Sequence, residues 1–300
     1  MIKFKISCCA ACFLLLSGKL FTQDLDPWVY GNLPVKMNSV ACSYALAEGN
    51  ILSDPSAPIQ DFQTTTHKIV AGYLRTMDIF GKLGRLQVIV PFSFMSGTAK
   101  INGYDTAGTR KGFDDVRVRI GLNILGSPPI LPQNFRTYRQ EFIFGASLVI
   151  SMPLGLYYPE KIVNLGSNRW GFKPEIGASL RVGQFFCEVY TGIKFSTTNK
   201  EFIVNKTLKQ APLYSLQTHI SHTFNNNIRA ALSGTYINGG QTSINDNKQN
   251  DYIRHLRGGI SVGYSITPFH LVVLQANTTI TTNASLDYRS LVLSYSYTWF

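Results

Sequence analysis

Charged side chains recur at every second position in several segments of this sequence, a spacing that places them on one face of an extended chain. Arg117 and Arg119 alternate with apolar residues, and Lys173 and Glu175 do the same in a later segment. If the apolar faces contact lipid, the opposite faces line a water-filled interior through which solutes could pass. The residues predicted to line this solute pathway are Arg117, Arg119, Lys173, Glu175, Arg181, Glu188, Tyr190, Lys194, His219, Arg229 and Arg257.

Basic residues outnumber acidic ones in this set, with seven lysines and arginines against two glutamates. A basic pore wall raises the local concentration of anions and favours their passage. The set therefore predicts a pore that prefers anionic solutes, with aromatic acids among the candidates. A second interpretation fits the same residues: the charges pair across the interior, Lys173 with Glu188 for example, and fill a narrow barrel.

His219 and Ser221 lie two residues apart, as a histidine that activates a serine nucleophile could. This pair supports an alternative function, an outer-membrane lipid-modifying hydrolase. Both side chains are expected inside the barrel near the short link at residues 225–227, whereas a lipase needs them at the lipid boundary near the long loops. The five histidines are scattered through the sequence. We therefore predict no catalytic residues, no metal site and no cofactor.

The segments that carry these residues alternate between apolar and polar positions, as strands between lipid and water do. In the segment 116–124 every second residue is a large aliphatic, and the residues between them are Arg117, Arg119, Gly121 and Asn123. The last strand repeats this pattern with Leu291, Leu293, Tyr295, Tyr297 and Trp299, before Phe300. A C-terminal aromatic strand is typical of outer-membrane barrels. Strict alternation would turn Phe300 inward.

About twelve segments alternate in this way, each close to the roughly 9–11 residues that cross a bilayer at a tilt. Short links near residues 78–84, 183–184, 225–227 and 267–269 alternate with longer polar links. The longer links lie near residues 49–61, 97–113, 153–168, 197–211 and 238–250. This pattern predicts an all-β fold, a closed antiparallel transmembrane β-barrel with short periplasmic turns and longer external loops. The proline-rich link 126–138 is long for a periplasmic turn, and a plug or a partner contact is the role considered for it.

Composition agrees with a membrane barrel, since 45% of residues are hydrophobic and 15% are charged, against about 25% charged in soluble domains. A soluble two-sheet sandwich also alternates, but the predicted signal peptide, the terminal aromatic strand and the alternating loop lengths together favour the membrane barrel. Residues 1–22 are predicted to be a signal peptide, because two lysines precede an apolar run too short to span a bilayer. Residues 23–34 are predicted to be a periplasmic or lumen segment, and residues 35–300 the barrel.

Several motifs carry a family resemblance. Residues 164–177 read Asn-Leu-Gly-Ser-Asn-Arg-Trp-Gly-Phe-Lys-Pro-Glu-Ile-Gly, and residues 112–115, 153–155 and 212–217 add shorter matches in the same order. The sequence resembles the family described as Putative MetA-pathway of phenol degradation, whose members are transporter-like outer-membrane barrels. The resemblance covers nearly the whole mature chain and implies the fold and the location. It supplies no catalytic residues, and phenol is not carried over as a ligand.

These observations favour an outer-membrane channel or transporter for small solutes, anionic or aromatic compounds being the candidates, and not an enzyme. A structural or adhesive surface barrel is a third class, which would need long ordered external loops. The expected partners are outer-membrane lipid, a small-molecule solute and the barrel-assembly machinery, through Leu291–Phe300; nucleic acid is not expected. Lipopolysaccharide is also expected, at the basic residues predicted in external loops: Lys100, Arg110, Lys111, Lys200, Lys206 and Lys209.

Overall fold

The computed structural model describes residues 27–50, 60–101, 103–224, 227–283 and 287–300. The predicted signal peptide, residues 1–22, lies outside these ranges. Within them, no helix has the length and apolar character needed to cross a membrane.

Strands make up most of the described chain. In chain order they are β1 (Asn38–Gly49), β2 (Gln60–Ile79), β3 (Lys82–Ile101), β4 (Tyr104–Phe113), β5 (Val116–Leu125), β6 (Phe142–Met152), β7 (Gly171–Val182), β8 (Phe185–Ser196), β9 (Asn199–Phe202), β10 (Lys206–Gln210), β11 (Leu213–Phe224), β12 (Ile228–Gly239), β13 (Thr242–Ile244), β14 (Asn247–Lys248), β15 (Ile253–Thr267), β16 (His270–Thr282) and β17 (Tyr288–Trp299). A short 3₁₀ helix, Pro132–Thr137, lies between β5 and β6.

Twelve antiparallel strands close into a barrel, which confirms the predicted fold class. β1 pairs with β2 on one side and with β17 on the other, where Asn38 lies opposite Trp299. β2 pairs with β3, and pairing then continues through β5, β6, β7, β8, β11, β12, β15, β16 and back to β17. Both ends of the barrel chain therefore lie at the rim with the short turns, which is the periplasmic rim in barrels of this class.

β4 occupies part of the link 97–113, where the sequence analysis predicted a loop. β2 and β3 each run for 20 residues, and β4 pairs with the outer part of β3, from Ile101 opposite Tyr104 to Phe92 opposite Phe113. Most β4 side chains are exposed. A strand wetted on both faces needs no apolar alternation, so the periodicity could not reveal it. Arg110, predicted in an external loop, therefore lies on a strand.

Two further predicted loops also contain strands. β9 and β10 lie within residues 197–211, and β13 and β14 within residues 238–250. These four short strands form a separate sheet in the order β14-β13-β10-β9. They extend over 2–5 residues each, too few for a readable period.

The outer surface of the barrel is apolar and the inner face is small or polar. On β17, the side chains of Leu293 and Tyr295 are 51% and 44% exposed, whereas Val292, which points to the opposite face, is 5% exposed. Such a surface is suited to lipid. Phe300 follows the last strand residue, is exposed, and packs edge to face against Phe269 with ring centroids 6.4 Å apart. Strand alternation therefore does not decide its orientation.

Candidate functional site

The eleven residues predicted to line the solute pathway share the strand faces that point away from lipid. Glu175, Glu188, Tyr190, His219 and Arg257 are buried, while their neighbours on the alternate faces are exposed or half-buried. The eleven lie on β5, β7, β8, β11, β12 and β15. The structure thus places them on the inner wall, and their part in solute passage stays a prediction.

A charged cluster forms where β5 and β7 approach each other across β6. Glu175 accepts contacts from Arg119 Nη1 at 3.1 Å and from Lys173 Nζ at 3.2 Å, and its side chain is 1% exposed. Two cations thus surround one carboxylate, which leaves an excess of positive charge at this wall. The Glu188 carboxylate, the suggested partner of Lys173, instead accepts a hydrogen bond from the backbone N–H of Trp28, at 2.9 Å.

The N-terminal segment, defined as residues 27–33, lies across the barrel interior. Its residues bond to β3, β5, β6, β7, β8 and β11. The chain then leaves the interior at the periplasmic rim, where the N–H of Met37 donates to Thr76 Oγ1 at 3.0 Å. The segment therefore narrows the periplasmic half of the interior.

Tyr30 sits in a slot built from two glycines. Gly145 on β6 and Gly177 on β7 are paired in register. A Cβ atom at Gly145 would lie 2.5 Å from Tyr30 Cδ1, and one at Gly177 would overlap the other edge of the same ring. The ring of Tyr190 closes the slot edge to face, with centroids 5.1 Å apart. The wall thus lacks side chains at the two positions that the Tyr30 ring needs.

The Tyr30 hydroxyl ends at the charged cluster. It lies 3.0 Å from Ser147 Oγ and 3.4 Å from Glu175 Oε1. Burial raises the pKa of Tyr30 to about 12, and the nearby Glu175 carboxylate acts in the same direction. The phenol therefore stays protonated at neutral pH, and can donate a hydrogen bond to the carboxylate.

Trp28 fixes the far end of the segment. Its indole N–H donates to Ser221 Oγ at 2.9 Å, and Arg229 lies over its ring, 6.0 Å from the centroid. His219 Nδ1 lies 2.8 Å from Ser233 Oγ. Ser221 and His219 thus each contact a different side chain, and among the described residues they do not form the hydrogen-bonded pair that a hydrolase needs.

The connection between β5 and β6, residues 126–141, contains the proline-rich link 126–138 and holds the other end of the segment. The Asn32 N–H donates to Gln140 Oε1 at 2.9 Å, and the Asn32 side chain also contacts Ser127. The N–H of Val35 donates to the carbonyl of Ile130 at 2.9 Å. This link is long because it forms the periplasmic attachment of the segment.

Arg85 is a further site residue that the sequence analysis missed. It contacts the carbonyl of Gly31, while Asn123 Nδ2 donates to the carbonyl of Tyr30 at 3.3 Å. Arg85 lies at an odd-numbered inner position of β3, like Gln87 and Ile89. Its position in that alternation was the available signal.

A cavity of about 340 Å³ adjoins the segment. Arg117, Arg119 and Lys173 line one wall. The strands on the far side of the barrel contribute neutral side chains, which are Ser261, Gln275, Val273 and Ser294. The cavity therefore has one basic wall and one neutral wall, with Trp28 and Tyr30 at its boundary.

Three of the four motifs that carried the family resemblance, residues 112–115, 153–155 and 164–177, meet at one place. It is here called the Asp115 junction and is defined by Asp115, Gly155, Gly166 and Ser167. The Asp115 carboxylate accepts hydrogen bonds from the N–H of Gly155 at 3.1 Å and of Ser167 at 3.0 Å, and from the Ser167 hydroxyl at 2.5 Å. Gly155 and Gly166 pack so closely that a Cβ on Gly155 would lie 2.7 Å from Gly166 Cα. The junction fastens the loop 153–170 to the break between β4 and β5.

Comparisons with known proteins agree with this architecture. The chain superposes on an outer membrane channel from Pseudomonas putida F1 with a TM-score of 0.76 and 17% identity, over 91% of this chain and 99% of that one. The β-domain of the Bordetella autotransporter BrkA gives a TM-score of 0.51 at 11% identity, over 88% and 100%. No curated protein matches the sequence. These likenesses show that the chain has the fold of bacterial outer-membrane barrels.

The family comparison covers most of the barrel. The sequence profile of one family matches residues 50–297, a range that includes the Asp115 junction, ten of the twelve barrel strands in full and most of β17. The chain belongs to the family described as Putative MetA-pathway of phenol degradation.

Proposed function

We propose that this protein is an outer-membrane channel for small solutes and that its interior favours anions. The observation that supports the proposal is the cavity of about 340 Å³ with Arg117, Arg119 and Lys173 on one wall. Glu175 contacts both Arg119 and Lys173, and the described residues that line the cavity include a further cation, Arg85, and no acidic side chain. The wall therefore carries net positive charge, in a space that solutes must cross.

The physical basis is electrostatic. Charges that face a narrow interior between low-dielectric walls attract counter-ions more strongly than the same charges on an open surface. Rings or rows of basic side chains are one way in which pores select anions. The partial neutralisation by Glu175 limits this attraction, so that a bound anion can leave again.

The test is the reversal potential of the refolded mature protein in a planar bilayer under a potassium chloride gradient. We expect discrete current steps and a reversal potential of the sign that chloride permeation gives. Arg119→Gln should reduce the anion preference, and Lys111→Gln serves as the matched control because Lys111 is exposed on β4. A cation preference of the wild type would overturn the anion proposal, and folded protein without current steps would overturn the channel itself.

We also propose two macromolecular contacts. Lys200 and Lys206 are exposed at the long-loop rim, where basic side chains attract lipopolysaccharide phosphates. Replacing Lys200 and Lys206 by glutamine should weaken binding to lipopolysaccharide micelles.

The second contact is between β17, which has an aromatic outer face, and the barrel-assembly machinery. Deleting Trp299 and Phe300 should lower the amount of folded barrel in the outer membrane, and an unchanged amount would contradict this contact.

A further inference from the structure

The inner face of the barrel changes character near the long-loop rim. Below, polar side chains alternate with single aliphatic ones such as Ile89 and Val273, whereas the outer ends of β2 and β3 carry Phe62, Met95 and Ala99 together. Phe62 is 5% exposed and packs with Ala99, Ile162 and Val163. These apolar residues line one part of a cavity of about 410 Å³, and Thr64, Thr98 and Thr106 are among its other lining residues. An apolar inner surface at this point is not required by the lipid–water pattern of the strands, so it needs another explanation.

The loop that covers this cavity is held in one conformation. Asn164 accepts a hydrogen bond from the N–H of Tyr158 at 2.8 Å, and its Nδ2 donates to the carbonyls of Tyr158 at 3.1 Å and Lys161 at 2.9 Å. The Asp115 junction fastens the following residues, with Ser167 Oγ 2.5 Å from Asp115. Ile162 and Val163 therefore stand at the cavity on a preformed loop, as in most small-molecule sites.

Arg110 brings a positive charge to the cavity wall. It is half-buried, its Nε donates to the carbonyl of Val163 at 2.9 Å, and its Nη1 donates to the carbonyl of Thr109 at 2.8 Å. These bonds fix the side chain and use two of the five N–H donors of a guanidinium. Lys161 and Glu160 also line the cavity. Their charges are opposite and cancel, so the net charge of the lining is the single positive charge of Arg110.

We propose that this cavity is a binding site for small amphipathic anions, molecules with an aromatic-sized apolar body and one carboxylate or sulfonate. Its volume lies in the range of roughly 300–1,000 Å³ that is usual for small-molecule sites. Phe62, Met95 and Val163 contact the apolar body, and Arg110 binds the head group, which its planar donors match. The site lies at the external mouth and captures solute before the basic wall. This inference rests on the proposed channel function and adds a solute class to it.

The test measures binding without current. The probe is 4-(trifluoromethyl)benzoate, observed by ¹⁹F NMR line broadening with the refolded protein in lipid nanodiscs, and the neutral analogue 4-(trifluoromethyl)benzyl alcohol is measured in parallel. Arg110→Gln should weaken benzoate binding about tenfold or more, since a charge-assisted hydrogen bond contributes that much, and should change alcohol binding far less. Lys111→Gln removes the same charge from the neighbouring exposed position and should leave both unchanged.

A second variant tests the apolar part. Ala99→Phe fills the cavity and should abolish binding of both probes, while Ser96→Phe adds the same bulk at an exposed position of β3 and should have no effect. Heat-modifiable migration on gels shows that each variant has folded. Equal benzoate binding by wild type, Arg110→Gln and Ala99→Phe would overturn the site, even where the wild type conducts chloride. If the wild type binds the probes but gives no current, and Ala99→Phe abolishes the binding, the channel proposal is overturned and the binding site is supported.

Discussion

The ring of Tyr30 meets the ring of Tyr190 edge to face, with centroids 5.1 Å apart. Tyr190 belongs to the barrel wall and Tyr30 to the segment that precedes the first strand, so this contact joins the N-terminal segment to the pore. An edge-to-face pair of this kind contributes about 0.5–1.5 kcal/mol beyond the area that it buries. The segment is thereby fastened to the inner wall of the barrel, and its position sets the width of the interior in the periplasmic half.

Adding one methyl group to the slot should open the pore. In Gly177→Ala the new Cβ would overlap the Tyr30 ring and lie 2.6 Å from Tyr190 Cδ1, so the ring must leave its seat. Overpacking of this kind costs about 1–3 kcal/mol. We expect the single-channel conductance to rise roughly twofold because the constriction is relieved. Gly121→Ala is the control, since a Cβ there makes ordinary contacts at 3.5 Å; equal conductance in the two variants would contradict this account.

Changes at the charged cluster should shift ion selectivity in opposite directions. Arg119→Gln removes a cation from the basic wall, whereas Glu175→Gln removes the carboxylate that Arg119 and Lys173 contact at 3.1 and 3.2 Å. We therefore expect the chloride-to-potassium permeability ratio to fall in Arg119→Gln and to rise in Glu175→Gln, each by about two- to tenfold at low salt. Reversal potentials measure both. Shifts of the same sign would show that the variants act through shape and not through charge.

Alkaline pH should weaken the packing of Tyr30 in the slot between Gly145 and Gly177. The pKa of Tyr30 is about 12 in the folded protein and about 10 when unfolded, so its stabilising contribution is complete below pH 10 and is lost as the pH rises to 12. The loss approaches about 2–3 kcal/mol by pH 12. The measurement compares the free energy of unfolding of wild type and Tyr30→Phe in urea between pH 8 and 12. The difference in the free energy of unfolding between the two proteins should be constant below pH 10. Above pH 10 the wild type should lose stability relative to Tyr30→Phe.

Weakening the Asp115 junction should release the loop 153–170. Asp115→Asn replaces a carboxylate that accepts three hydrogen bonds, from Gly155 and Ser167, and the amide offers a donor where an acceptor is needed. We expect a local loss of about 1–3 kcal/mol, seen as faster cleavage of this loop by protease in intact barrels. Asp246→Asn is the control, because its ion pair with Lys209 is largely exposed and contributes less than about 1 kcal/mol. Equal cleavage rates would show that the junction does not hold the loop.

Strand alternation was readable because it is a local pattern imposed by lipid on one side and water on the other. Every second residue of β17 from Leu291 to Trp299 is exposed to the lipid side, and the same rule placed Arg117, Arg119 and Lys173 on the inner wall. β4 escaped this rule because water contacts both of its faces. The sheet of β9, β10, β13 and β14 escaped it because each strand is too short to show a period.

The sequence by itself therefore determined the closed barrel of about twelve strands and the strand faces that point to its interior, since these depend on neighbours two residues apart. Tertiary structure alone decided the contacts between distant parts of the chain. Among these are the seat of Tyr30 between Gly145 and Gly177, the attachment of Asn32 to the link 126–141, and the cavity beside Arg110. Strand register and barrel closure decide which inner glycine faces an aromatic ring and which arginine lies beside an apolar pocket. Neither register nor closure can be read from the types of residues that are close together in the sequence.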